Sequence, residues 1–215
     1  MKAMRLLMFL FLLLMTQISK AQTWEDDLNK TCRVFQPSTN EQAYLAGLAQ
    51  LDLAVKNYPK QWQVAYYAAW YRLQYLQRAD FKTQMKRESF LLLAEESLAP
   101  WLNEKGHPEI FILHAYIQVL RMDWFREQDP KKYATKAEIS LAMARQKAPD
   151  HPRLSVVEGM YAYLNFLEDE SSRNDRAREH FLKAEEGLKQ GALESYPMMP
   201  TWGWDICQDY LKRLR

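Results

Sequence analysis

The sequence predicts an all-α protein built from stacked antiparallel helical hairpins, and three observations lead to this fold class. Ala, Leu, Gln, Glu, Lys, Arg and Met are abundant, and these residue types favour helix. Apolar residues recur at three- and four-residue spacing, as at Leu45, Leu48, Leu51 and Val55, which is the period of one helical face. The nine prolines fall between such stretches, where they mark helix ends because proline lacks the N–H that a helix interior needs.

These marks divide the chain into nine predicted helices, and the alternating pattern of β-strands is absent. The connections between the helices are short, which favours antiparallel neighbours and therefore hairpins. The predicted helices cover residues 24–35, 40–57, 61–79, 81–98, 108–127, 130–147, 152–168, 172–189 and 202–214.

Residues 1–21 have the layout of a cleavable secretory signal peptide. Lys2 and Arg5 precede an unbroken apolar run over residues 6–15, and Ala21 completes a small-residue cleavage site. The run is well short of the roughly 20 residues that a membrane-spanning helix needs, so a retained anchor is the weaker alternative. We expect a single exported domain of residues 22–215, either periplasmic or associated with the cell envelope.

Removal of this leader leaves a chain with almost no net charge. The full sequence has 29 Lys and Arg against 27 Asp and Glu, and Lys2, Arg5 and Lys20 leave with the leader. The remaining chain has no dense basic stripe of the kind that binds a phosphate backbone, so nucleic acid is not an expected partner.

Internal repetition is the strongest signal in the chain. Three second helices share a small–large–small spacing, which a proline follows in the first two, and first helices carry small residues at Ala69, Ala115 and Gly159. Small residues let helices approach closely, and the large residue fills the gap between them. The second-helix positions are Gly47, Leu51, Ala54 and Pro59, then Ala137, Leu141, Ala144 and Pro149, then Ala177, Phe181 and Ala184.

This pattern resembles the tetratricopeptide repeat over most of residues 40–189. The resemblance implies a right-handed superhelix of about four antiparallel hairpins with a C-terminal capping helix. The period is extended, because Ala69 and Ala115 are 46 residues apart and Ala115 and Gly159 are 44 apart, against about 34 in the standard repeat. The extra length predicts longer helices or loops and a different curvature.

The chain is also similar to small exported repeat proteins of Bacteroidota. The similarity lies in the leader, in the aromatic stretch of residues 61–76, and in Pro200-Thr-Trp202-Gly203 before a short amphipathic helix. It implies the fold and the export of the chain and indicates no mechanism.

Aromatic residues at helical spacing form the predicted binding face. Trp62, Tyr66 and Trp70 are spaced by four and therefore share one face of a helix. In the register of the resembled repeat, Tyr66 and Trp70 line the concave groove, where aromatic side chains are effective interface anchors. The predicted groove comprises Trp62, Tyr66, Trp70, Ile112, Tyr116, Val156, Met160 and Tyr163.

Two interpretations of this aromatic set stay open. If it binds a peptide or helix of another exported protein, then Tyr66, Trp70, Tyr116 and Tyr163 are partly exposed in one continuous groove. The alternative is that the aromatic residues fill the core between repeats.

Signatures of catalysis and of cofactor binding are missing from the sequence. It contains no HExxH, GxSxG or CxxC motif and no glycine-rich phosphate loop. The histidines lack a second histidine or cysteine at metal-binding spacing, so no metal or cofactor is expected. They are His107, His114, His151 and His180.

The acidic pairs do not form ready-made catalytic dyads. Glu95 and Glu96, like Glu185 and Glu186, are adjacent, and adjacent residues of a helix point about 100° apart. The sequence therefore predicts a non-catalytic binding scaffold. The alternatives are an envelope hydrolase with two carboxylates facing across a cleft, and a structural module that associates with itself.

Two features near the chain ends have alternative interpretations. Cys32 and Cys207 invite a disulfide in an exported protein, but the ends of a helical stack usually lie far beyond the required Cα separation of about 7 Å, which favours two separate thiols. The last predicted helix is expected to cap the open end of the stack, and the alternative is a partner-docking helix.

Overall fold

The structure is a computed structural model that describes residues 23–35, 40–77, 84–165, 168–189 and 200–215. The predicted signal peptide lies outside these residues. Within them, every regular element is helical, which confirms the all-α class. The elements are α1 (Trp24–Cys32), α2 (Glu41–Asn57), α3 (Trp62–Gln77), α4 (Gln84–Leu98), a 3-10 turn (Ala99–Trp101), α5 (Pro108–Trp124), α6 (Pro130–Lys147), α7 (Pro152–Tyr163), α8 (Glu170–Lys189) and α9 (Trp204–Arg213).

Each of the nine predicted helices is present, and several of them begin or end two to five residues from the predicted position. Helix α1 ends at Cys32 and α5 at Trp124, each three residues before the predicted end, and α8 begins at Glu170, two residues before the predicted start. Helix α7 ends at Tyr163, before the predicted residue 168. Helix α9 begins at Trp204, after the predicted residue 202, because Gly203 adopts φ 117° and breaks the helical backbone. That conformation suits glycine, which has no Cβ to clash. The ends predicted at residues 79 and 81 lie outside the described residues.

Several helices begin where proline or a capping side chain stands at the start of the helix. Proline occupies the first turn of α5, α6 and α7, where its missing N–H costs no helical hydrogen bond. Side chains cap other free N–H groups. Asn40 Oδ1 accepts the backbone N–H of Ala43 at 2.8 Å, and Asp129 Oδ1 accepts that of Lys132 at 3.1 Å.

Helices that follow one another in the chain pack together. Helix α3 packs on α4, α5 on α6, and α7 on α8, while α3, α5 and α7 also contact one another in that order. Helix α9 returns onto α8 and α7. The larger hydrophobic cluster extends from α3 to α9, and a smaller one joins α1, α2 and α3. The first helices of the predicted hairpins therefore form a continuous layer.

Two glycines of the repeat lie where an added side chain would not fit. A Cβ on Gly159 would stand 2.9 Å from the Phe181 ring, which is closer than packed atoms normally come. A Cβ on Gly47 would stand 2.8 Å from Phe35 Cζ, and Phe35 precedes the repeat pattern. The apolar repeat positions are buried, whereas Pro59 and Pro149 are exposed in the connections.

The two cysteines pack in different hydrophobic clusters. Cys207 is buried in α9, where its thiol donates to the Phe181 carbonyl at 3.1 Å. Cys32 packs with the smaller cluster, and both thiols are free. Burial raises the pKa of each thiol to about 11. The disulfide considered from the sequence is not formed.

No helix among the described residues has the length and apolar character needed to cross a membrane.

Candidate functional site

The predicted groove residues come together, but most of them do not face solvent. Trp62, Trp70 and Tyr163 are partly exposed. The expectation that Tyr66 and Tyr116 would be partly exposed is wrong, because these side chains are 0% and 2% exposed. Both belong to the hydrophobic core, as the alternative interpretation of the aromatic set expected. The groove residues that are buried are Tyr66, Ile112, Tyr116, Val156 and Met160.

The reason for this burial is a segment of the same chain, residues 200–203, here called the C-terminal segment. The Trp202 ring stacks against Trp70 at a centroid distance of 5.1 Å and against Tyr116 at 5.2 Å. Its indole N–H donates to the Tyr66 hydroxyl at 2.6 Å. Trp202 therefore covers the aromatic residues that were predicted to contact a partner.

Polar contacts fix the backbone of the C-terminal segment. Arg153 Nη1 donates to the Pro200 carbonyl at 2.7 Å, and the Arg153 guanidinium lies 5.8 Å from the centre of the Trp202 ring. Gly203 passes close to α7, since a Cβ there would stand 3.5 Å from Val156 Cγ2. Both the backbone and the ring are held by residues of the first-helix layer.

Helix α9 covers the other end of the same face. Tyr210 meets Tyr163 edge-on at 5.2 Å and stacks on Phe181 at 4.9 Å. These contacts match the capping interpretation of the last helix, which places its apolar side on the stack.

Beneath the C-terminal segment lies a network of charges, here called the buried network, formed by Glu109, Arg153, His151 and Tyr66. Arg153 Nε donates to Glu109 Oε1 at 2.9 Å, and His151 Nε2 lies 2.9 Å from the same oxygen. The Tyr66 hydroxyl lies 3.3 Å from Glu109 Oε2. Burial raises the pKa of Glu109, but Arg153 and His151 outweigh burial and lower that pKa to about 2.

Glu109 is therefore ionised and sealed from solvent. Its side chain and that of Arg153 are both 0% exposed. A carboxylate with a lowered pKa and no access to substrate cannot act as a general acid. The buried network holds α5, α7 and the C-terminal segment together and does not form an open active site.

A second polar cluster borders a cavity of about 440 Å³ between α4, α5 and α6. Ser140 Oγ lies 2.7 Å from His114 Nδ1, and His114 Nε2 lies 3.3 Å from Glu95 Oε1. These residues, here called the cavity triad, all line the cavity. Sequence reasoning missed them because each comes from a different helix, and no short motif joins them.

Hydrogen-bond donors, two of them positively charged, surround the Glu95 carboxylate. Arg121 Nη1 donates to Oε2, Gln118 Nε2 donates to Oε1 at 3.1 Å, and Lys136 Nζ lies 3.3 Å from Oε1. Burial raises the pKa of Glu95, but the hydrogen bonds from His114 and Arg121 outweigh it and hold that pKa well below its usual range. Glu95 is therefore a carboxylate at neutral pH.

A smaller cavity of about 270 Å³ contains carboxylates from two helices, Glu138 and Glu158. Arg145 bonds both, with its Nη1 2.9 Å from Glu138 Oε1 and its Nε 2.5 Å from Glu158 Oε1. Burial raises the pKa of Glu158, but bonds from His180 and Arg145 lower it overall. A glycoside hydrolase needs one carboxyl with a raised pKa as its acid, and the lowered pKa of Glu158 does not suit that role.

Among the described residues, no group of three histidine, cysteine or acidic side chains is placed to hold a metal ion.

Comparison of the chain with family models, with curated proteins and with solved structures finds no match in any of the three.

Proposed function

We propose that this protein is an exported binding module whose concave, non-catalytic face takes an extended, tryptophan-bearing segment of another exported protein. The observation that carries the proposal is the position of Trp202, whose ring stacks on Trp70 and Tyr116 while its N–H is bonded to Tyr66. The chain's own C-terminal segment thus provides an example of the ligand that this face accepts.

The fold and compartment form part of the same proposal. The contacts among α3, α5 and α7, with the close approach at Gly159, support a tetratricopeptide-like right-handed superhelix of about four hairpins with α9 as its cap. The layout of residues 1–21 supports export to the periplasm or cell envelope. In such stacks the first helices line the concave surface.

The bound segment defines the chemistry of recognition. Its indole ring lies against two aromatic rings, an arrangement that contributes about 0.5–1.5 kcal/mol for each pair beyond the buried area. Its N–H meets a hydroxyl oxygen, and the carbonyl two residues earlier accepts from Arg153. A partner segment would present the same three features and would displace residues 200–203.

The test uses the mature chain with Trp202→Ala, which empties the indole position and leaves every residue of the face intact. A fluorescent peptide with the sequence of residues 198–205 is titrated against this variant and against the native chain, and binding is followed by fluorescence polarisation. We expect binding to the variant and none to the native chain. The matched control is the same peptide with alanine in place of the first of its two tryptophans, the one that corresponds to Trp202.

The proposal is wrong if a Trp202→Ala chain with native circular dichroism does not bind the peptide. If it does bind, affinity capture from a cell-envelope extract identifies the natural partner as a protein retained by the variant and released by the peptide. Self-association, the structural alternative, would instead give a dimer of the native chain in light scattering.

The carboxylate hydrolase has no observation in its favour at the concave face, because Glu109 is sealed. In the smaller cavity, Arg145 neutralises both candidate carboxylates.

A further inference from the structure

We propose that the cavity triad is an acyl-transfer site, with Ser140 as nucleophile, His114 as base and Glu95 as the group that orients His114. The substrate class is a small ester with an apolar acyl group. This site lies between α4, α5 and α6, away from the C-terminal segment, so the inference is independent of partner binding at the concave face.

The proton path is set by the hydrogen bonds of His114. Glu95 is an acceptor only, so the 3.3 Å contact with Nε2 favours a proton on that nitrogen. The lone pair of Nδ1 then faces the Ser140 hydroxyl at 2.7 Å, which is within reach for proton abstraction. Gln118 Nε2 lies 3.3 Å from His114 Nε2 and donates to Glu95 at 3.1 Å, so it also holds the carboxylate.

This arrangement differs from the usual serine hydrolase triad in one respect, which is the ring nitrogen that faces the serine. Serine usually meets Nε2 and the acid meets Nδ1, whereas here the two are exchanged. Either imidazole nitrogen can accept a proton, so the exchange leaves the base function intact. Triads are recognised by geometry and role and not by position in the chain.

Charge on the substrate oxygen needs a donor other than the serine's own backbone. Ser140 lies inside α6, where its N–H is used in the helix. Lys136 stands one turn earlier on the same helix and is the one Lys or Arg side chain among the described residues that line the cavity. Its ammonium group is the candidate stabiliser of the oxyanion, and we expect slower turnover than with paired backbone donors.

The walls of the cavity specify the acyl group. Leu102, Phe111, Ile139 and Met143 line it, and its volume of about 440 Å³ lies within the range of small-ligand pockets. Ile139 is 62% exposed, so an apolar side chain stands at the entrance. An acyl chain of a few carbons fits this apolar part of the lining.

The reaction balances with water as the second reactant. Ser140 Oγ attacks the ester carbonyl while its proton passes to His114 Nδ1, and collapse of the oxyanion expels the alcohol, which takes that proton. Water then attacks the acyl-serine and gives a proton to His114, which returns it to Ser140. The net products are the carboxylic acid and the alcohol.

The test is covalent labelling of the whole mature chain with an alkyl fluorophosphonate, which a nucleophilic serine attacks with loss of fluoride. We expect one adduct per chain, located on Ser140 by peptide mass spectrometry. Because the adduct is mapped on the native chain, the result does not depend on a variant folding. No adduct, or an adduct elsewhere, overturns the proposal.

Single substitutions distinguish a catalytic role of the cavity triad from a purely structural one. Ser140→Ala should abolish labelling, whereas Ser155→Ala should not change it, since Ser155 is 1% exposed and its hydroxyl has no hydrogen-bond partner among the described residues. His114→Gln should slow labelling by roughly 100-fold, the typical contribution of a general base. If folded His114→Gln labels as fast as the native chain, the triad is a structural network only.

Discussion

Glu109 and Glu95 have the same kinds of neighbours and differ in their access to solvent. Each carboxylate is bonded to an arginine and a histidine from another part of the chain. The Glu109 side chain is 0% exposed, whereas that of Glu95 is 18% exposed and borders a cavity. Similar ion pairs therefore serve two purposes, since one closes the core and the other lies beside a space that a ligand can enter.

The difference has an energetic cause. A sealed charge cannot regain water when its partner is removed, so the full desolvation cost appears. A carboxylate at a cavity can recover hydration, and Glu95 also keeps Lys136 nearby. Loss of a partner should thus be severe in the buried network and mild in the cavity triad.

The largest effect is expected from Arg153→Met. It leaves the Glu109 carboxylate buried without its cation, and we expect a loss of about 4 kcal/mol in the free energy of unfolding, measured by urea denaturation. The matched variant is Arg121→Met, which removes the arginine from Glu95, leaves Lys136 beside it and should cost only about 1 kcal/mol. Equal losses would show that solvent access does not separate the two sites.

Acid should destabilise the protein through Glu109. Its folded pKa of about 2 lies below the ordinary value of 4.5, so its contribution is complete above pH 4.5 and is lost as the pH falls toward 2. From the shift we expect a loss of about 3 kcal/mol, measured by urea denaturation across this range. A Glu109→Gln/Arg153→Met double variant should lack this part of the pH dependence, and an unchanged profile would refute the assignment.

Trp202→Phe should cost about 1 kcal/mol. A phenyl ring can keep the stacking on Trp70 and Tyr116, but the N–H bond to the Tyr66 hydroxyl is lost, while the contact of that hydroxyl with Glu109 remains. Thermal unfolding of both chains at one pH measures the difference. A loss as large as that of Trp202→Ala would mean that the hydrogen bond and not the ring area holds the C-terminal segment.

The smallest effect is expected at a surface pair of α9, Arg213 and Asp209. These side chains are 55% and 56% exposed and are spaced by four, and such pairs contribute about 0.3–0.5 kcal/mol. Asp209→Asn should therefore change the urea midpoint little, and the remaining change should disappear in high salt. A salt-independent loss above 1 kcal/mol would show that solvent exposure does not weaken an ion pair in this protein.

The helices could be predicted from the sequence, and so could several of the residues that contact one another. Proline positions and apolar spacing located nine helices, and the repeat register placed Tyr66, Trp70 and Tyr116 at one site. What covers that site could not be predicted, because Trp202 is 136 residues away from Tyr66 in the chain and its apolar neighbours suggested a helix start. The cavity triad left no signal either, since Glu95, His114 and Ser140 belong to three helices.

The position of Trp202 in the chain also sets an order of assembly. Tyr66, Trp70 and Tyr116 are synthesised before the tryptophan that covers them, so a newly made chain presents an uncovered aromatic face until Trp202 is added. Uncovered apolar surface of this kind makes a folding intermediate prone to aggregation. Completion of the chain is therefore also the step that ends this exposure, and a product cut before Pro200 would remain a target for chaperones and proteases.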